Sequence, residues 1–201
     1  MNPLNTISGT LIAGLVLAII IAALTSLSGP SSAGAIIFWT HVAAGVTWIG
    51  LLYYFNFVQV PALGEAASDE DGPGPAAISK YVAPRALLWF RWAALATWLT
   101  GAAFLMHKGQ LHNAFMLGLN TDPVNQYAMT IGVGAWLGTI MLFNVWVLIW
   151  PNQKKVLGMV EASADEVAKA KNTAFLASRS NTLMSIPMIM SMIGAGHGWF
   201  M

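Results

Sequence analysis

The sequence predicts an all-α integral membrane protein, a single domain built as a five-transmembrane-helix bundle. Three observations lead there. Hydrophobic residues make up 57% of the 201 and charged residues only 8%, against roughly 25% charged in an ordinary soluble domain. Five apolar stretches approach or exceed the length a helix needs to cross a hydrocarbon core, about 20 residues. The basic residues also fall almost entirely on one side of those stretches, as the positive-inside rule requires of a multi-pass protein.

The stretches are residues 8–27, 33–60, 86–106, 127–150 and 182–200. The first lacks a basic leader and a small-residue cleavage site, so it reads as a retained span. Its Gly9, Ala13, Gly14 and Ala18 would allow close helix packing. The second is longer than a span requires and should tilt or project. Residues 65–77 are acidic and rich in glycine and proline, which reads as a mobile linker. Ser163-Ala-Asp-Glu166 has the form of a capping box and predicts a short helix towards Ala177, separate from the last span. The loop 109–126 carries Leu111, Phe115, Met116 and Leu119, enough to lie against the membrane surface.

Orientation follows from charge. Lys80, Arg85 and Arg91 lie in or just after the second connection, and Lys154, Lys155, Lys169, Lys171 and Arg179 in the fourth. Lys108 alone belongs to the third, and the first, Ser28–Ser32, has none. The amino terminus is then expected in the cytoplasm and the carboxyl terminus in the periplasm of a bacterial inner membrane. Trp39 and Trp199 would mark the outer interface, Trp89 and Trp150 the inner one.

Several functions are excluded at once. There is no cysteine, hence no disulfide, thiolate metal site, cysteine nucleophile or covalently attached c-type haem. A net charge of +1 without a basic stripe offers nucleic acid no footprint. No phosphate-binding loop, serine-hydrolase elbow or zinc-protease helix occurs.

The predicted topology gathers His41, His107, His112 and His197 on the outer side. An ionisable residue inside a span needs a compensating partner, and neutral imidazole is the usual protein ligand of b-type haem. His41, Gly45, Trp48, Leu52 and Phe55 share one helical stripe. Gly45 removes a side chain one turn from the histidine, where a flat porphyrin could approach. His197, Gly194, Met190 and Ile186 form a similar face, loosened by the kink expected at Pro187. Facing each other, they would make His41 and His197 axial ligands of haem iron, with His107 the alternative second ligand. The competing reading is an interfacial histidine bonded to water or to a carbonyl.

A second polar layer, nearer the cytoplasm, comprises Asn56, Gln59, Arg91, Asn144, Arg179 and Asn181. Hydrogen bonding between helices and snorkelling arginines account for most of it. Arg91 could instead hold a haem propionate, an anionic substrate or a lipid headgroup. Met184, Met188 and Met192 recur every four residues and would suit Cu(I), although ordinary packing explains them too.

The runs FWTHVAAGVTWIGLLYYFNFVQVPAL (Phe38–Leu63), YVAPRALLWFRWAALATWLTG (Tyr81–Gly101) and SRSNTLMSIPMIMSMIGAGHG (Ser178–Gly198) resemble the membrane domain of the bacterial urate oxidase, or urate hydroxylase, family. The H-x6-W pattern of His41 and Trp48 and the R-x-N-x5-P pattern of Arg179, Asn181 and Pro187 are distantly similar to the membrane protoporphyrinogen oxidase family. The resemblance implies haem b bound through His41 and hydroxylation of urate, with water supplying the oxygen. Urate hydroxylases of this type continue into a cytochrome c domain, which is not among these 201 residues. Electrons are therefore expected to pass to a separate cytochrome c or a quinone. The alternative is a non-catalytic accessory subunit of a larger respiratory or photosynthetic membrane complex.

Overall fold

The computed structural model describes residues 2–25 and 33–198, and every regular element among them is helical. The connection Ser28–Ser32, Leu27 at the end of the first expected span and Trp199 and Phe200 at the end of the last lie outside the described residues. The chain divides into two compact units, Met1–Ile36 and Ile37–Met201.

In the first unit, Asn2 accepts a hydrogen bond from the Leu4 amide and Thr6 from the Gly9 amide, at 2.9 and 3.0 Å. These bonds satisfy amides that a helix start leaves unpaired. The helix that follows, α1 (Ile7–Thr25), has no buried residue. It is apolar on all sides, the composition of a helix solvated by lipid.

In the second unit four long helices run up and down. They are α2 (Ala33–Ser68), which belongs to this unit from Ile37 onward, α3 (Ala83–His107), α5 (Gln126–Val156) and α6 (Ala164–His197), with the short α4 (Leu111–Phe115) between α3 and α5. Contacts fix the order. On α2 and α3, Phe38 meets Phe104 and Phe55 meets Phe90, at ring separations of 5.1 and 5.4 Å, so the pair is antiparallel. Trp98 donates to Thr139 and Trp92 packs edge-on against Trp146, which sets α3 against α5. Ser191 donates to the Thr130 carbonyl and Asn144 to Asn181, which sets α5 against α6. Tyr53 with Ser185 and Asn56 with Ser178 close the ring from α2 to α6. This is an up-down four-helix bundle. Its core contains Trp48, Leu52, Phe55, Leu87, Phe90, Ala94, Met141, Val145 and Met188.

The inward face of α6 is small and polar: Ala170, Ala174, Ala177, Asn181, Ser185, Met188, Ser191 and Ala195 are buried. Helical spacing of three or four residues puts all of them on one stripe. Asn181 is fully buried, donating to the Met141 carbonyl at 3.0 Å and accepting from Asn144 at 2.8 Å. Ser191 accepts from the Gly134 amide at 2.9 Å. Asn144 was expected to bond between helices, and it does.

Among the described residues three π-helical turns occur, at Phe55–Gln59, Ile78–Val82 and Asn144–Ile149. Each ends with the amide of Val60, Ala83 or Trp150 bonding five residues back, to Phe55, Ile78 or Val145. The next residue is in every case proline: Pro61, Pro84 and Pro151. Proline lacks an amide hydrogen and its ring collides with the carbonyl four residues earlier. A wider turn immediately upstream shifts that carbonyl and lets the helix continue. The same turns bring Asn56, Gln59 and Asn144 to buried positions.

Among the described residues three helices are long and apolar enough to cross a membrane: Ile7–Thr25, Ala33–Ser68 and Gln126–Val156. In α6 the polar residues that dilute the apolar half face inward, and α3 carries Arg85, Arg91 and three threonine or glycine positions near its end. Other boundaries differ from expectation. The acidic linker is helical as far as Ser68, and the short helix after Ser163 is continuous with the last expected span. Alanine at 164, 168, 170, 174 and 177 gives no reason to stop. The capping box forms as its sequence requires: Glu166 accepts from the Ser163 amide at 2.9 Å while Ser163 accepts from the Glu166 amide at 3.3 Å.

Two outcomes follow for stability. Asn181→Leu leaves the Asn144 side-chain amide unpaired in the core and removes the side-chain bond to the Met141 carbonyl, so it should cost about 1–3 kcal/mol in thermal unfolding in detergent. At the start of α6, hydrogen bonds from Ser163 and the nearby charge of Lys155 hold the Glu166 carboxyl below its ordinary value of 4.5. The stabilisation it gives is present above the ordinary carboxylate range and is lost as pH falls through the depressed value. Amide-exchange protection of the first turn of α6 should fall at acid pH, and Glu166→Gln, which removes the titrating carboxyl, should remove that pH dependence.

Candidate functional site

Antiparallel packing places the four histidines together at one end of the second unit. His41 lies in the first turns of α2 beyond Phe38, His107 ends α3, His112 is on α4 and His197 ends α6. Of the nine lysines and arginines, only Lys108 is at this end.

His41 is half-buried against α3. Its Nδ1 lies 2.8 Å from the Thr97 carbonyl. A carbonyl oxygen only accepts, so Nδ1 carries the proton and the lone pair of the neutral ring is on Nε2. Gly101, one turn on from Thr97, makes room for the ring: a Cβ there would stand 2.9 Å from His41 Cε1. His197 repeats the pattern within its own helix, with Nδ1 2.9 Å from the Ile193 carbonyl, and it is exposed. Metal-bound histidines characteristically commit the second ring nitrogen to a carbonyl or carboxylate in this way.

The other expected residues are more dispersed. Gly45 faces the Thr97 methyl, 3.6 Å from where its Cβ would be, so α3 covers that position. Trp48 is buried in the core, and its indole nitrogen has no hydrogen-bond partner. Gly194 is buried on the inner face of α6, a turn before His197. His107 is exposed at the end of α3. Arg91 belongs to the opposite end of the bundle, its guanidinium carbon 3.8 Å from the centroid of the Trp150 ring. It is six residues from Thr97, about 9 Å of helix rise. The structure thus joins His41 to α3 and leaves Arg91 with a different partner.

Thr97 and Gly101 were not singled out in the sequence. Their spacing of four residues, small and on one helical face, is the signal that was available. Around the histidine end the short α4 is held down where Trp136 donates to the Phe115 carbonyl at 3.0 Å. Gly132 lets α5 approach the Ala114 carbonyl there, closer than any side chain would permit. The methionines of α6 pack inward: Met188 is buried, and the Met192 methyl lies 3.0 Å from where a Gly134 Cβ would stand.

Among the described residues no group of three or more histidine, aspartate or glutamate side chains could hold a bare metal ion. The chemistry available at this end is that of separate imidazoles, two of which, His41 and His197, commit Nδ1 to a backbone carbonyl. Gly101→Ala should push the His41 ring off Thr97, read as loss of the hydrogen-bonded Nδ1 proton in nitrogen NMR of labelled histidine. Gly64→Ala, at a position with open space around it, should leave that signal in place.

No curated protein and no solved structure matches this chain. Residues 113–201 match the family described as urate oxidase N-terminal. That stretch is less than half of the chain; it covers α5, α6, Gly194 and His197 but not His41, Gly45, Trp48, Arg91 or His107. Over these residues, which include one of the three runs that carry the likeness in the sequence, the chain resembles the N-terminal part of urate oxidases.

Proposed function

We propose that the chain is a membrane oxidoreductase of the urate hydroxylase kind, holding a b-type haem at the histidine end of its bundle. The observation that carries this reading is the His41–Thr97 hydrogen bond, which leaves Nε2 free on a ring clamped between α2 and α3. His197, with its own Nδ1 committed to a carbonyl, is the second ligand of choice, and His107 is the alternative. The donor set fits haem iron because both rings are in the tautomer that ligates through Nε2.

Five membrane crossings complete the reading. Among the described residues three helices qualify by length and apolarity, while α3 and α6 pack against α5 in alternating direction and α6 turns its polar residues inward. Eight of nine basic residues at the end away from the histidines support a cytoplasmic amino terminus and a periplasmic histidine end in a bacterial inner membrane.

Bound there, a haem would supply one-electron transfer. Thr97 would hold the His41 proton and fix the ring plane, and Gly101 would keep the ring close to α3. The apolar core below would keep water from the lower face. Urate as substrate rests on the family resemblance, with electrons leaving to a cytochrome c or a quinone on the outer side.

Reduced-minus-oxidised spectra of purified protein should show a b-type band. The band should be lost in His41→Ala and retained in His112→Ala. A colourless protein with no extractable haem would overturn the proposal. Urate-dependent reduction of added cytochrome c by protein migrating alone on a native gel would exclude the accessory-subunit reading. Obligatory migration within a larger complex, without such activity, would favour it.

A further inference from the structure

Away from the histidines, α3 and α5 leave an open groove of about 590 Å³ on the outside of the bundle. Its walls are apolar and aromatic, chiefly Trp92, Leu95 and Trp98 from α3 and Leu142, Phe143 and Trp146 from α5. Along the helices it extends from Thr139 to Trp146, about 10 Å. No histidine or methionine lines it, so it offers haem iron no ligand.

One turn below, on the same helix faces, the lining changes sign. Arg91 precedes Leu95 by four residues, and Trp150 follows Trp146 by four. The Arg91 guanidinium lies over the Trp150 ring at 3.8 Å, and the Lys154 ammonium is 5.9 Å from the same ring. Neither cation is in an ion pair: among the described residues the acid–base contact within 4 Å is Lys155–Glu166. Stacking on the indole occupies one face of the guanidinium and leaves its N–H edge available for an anion. Two uncompensated cations at the foot of an apolar groove are complementary to an anion joined to a hydrocarbon chain. Both lie at the end that carries eight of the nine basic residues, which on the reading above faces the leaflet rich in acidic lipid.

We infer that this groove is a binding site for one anionic phospholipid, its phosphate on Arg91 and Lys154 and an acyl chain between Trp92, Leu95 and Trp146. The site is separate from the histidine end, so it stands or falls independently of haem.

The test is native mass spectrometry of the full chain in mild detergent. It is titrated with phosphatidylglycerol, with phosphatidylcholine of the same acyl chains, and with decylubiquinone. One phosphatidylglycerol should bind in preference to phosphatidylcholine. Arg91→Gln with Lys154→Gln should weaken it by roughly ten- to thirtyfold, as expected for two surface cations at about 1 kcal/mol each. Leu95→Trp, which fills the groove and leaves both charges, should also abolish the preference. Thermal unfolding of each variant shows that it is folded, and Arg91→Lys should restore most of the binding to any variant series in which Arg91→Gln fails to fold. Equal binding of the two phospholipids, tighter binding of the quinone, or no effect of the charge or groove substitutions would overturn the inference.

Discussion

The bundle depends on one constraint: the polar groups on the inner face of α6 must find partners inside an apolar interior. Asn181, Ser185 and Ser191 are almost wholly buried. Each would be expensive unpaired, and each is paired with a neighbour: Asn181 with α5, Ser185 with Tyr53 of α2, Ser191 with the start of α5. Hydrophobic contact alone would let one apolar helix slide or rotate on another. Directional bonds to a side chain that cannot reach water set the register instead.

The prolines and the π turns serve the same requirement. A proline within a long helix costs a hydrogen bond and a steric clash. Here Pro61, Pro84 and Pro151 follow turns in which the preceding amide reaches five residues back. The added residue rotates everything beyond it. In α2 it buries Phe55, Asn56 and Gln59 within five positions, and in α5 it buries Asn144 and Val145 side by side. Asn56 then reaches Ser178, and Asn144 reaches Asn181. Wider turns of this kind frequently mark functional sites, and in this protein they position the hydrogen bonds that align α2 and α5 with α6.

The two ends of the bundle are chemically distinct. One carries four neutral-tautomer-capable imidazoles and the cramped contact of His41 with α3, where Gly101 has no side chain to obstruct it. The other carries nearly all the cations, including Arg91 stacked on Trp150. Residues that share a rare polar character in the sequence are thereby assigned to separate tasks by the direction of the helices. Arg91, for which a propionate, an anionic substrate and a lipid headgroup were all open, is stacked on an indole at that second end.

Much of this was legible from the residues. Scarce charge fixed the class, because 8% charged residues cannot solvate a globule of this size. The periodic apolar stretches located the long helices, Ser163 and Glu166 marked the start of α6, and Lys and Arg marked one end. What the sequence could not give is anything that depends on which helix lies beside which. Thr97 and Gly101 have no chemical signature of their own; they matter because α2 presents His41 to them across 56 and 60 residues of chain. The same holds for Gly45, whose neighbour from α3, the Thr97 methyl, is not visible in the sequence. Nor do three prolines announce π turns, since a kink or a helix end would satisfy proline equally well. Composition and periodicity are local properties and decided the class, the helices and the sidedness of charge. Tertiary packing decided the pairings, because a hydrogen bond between helices is a fact about neighbours that no single stretch of chain contains.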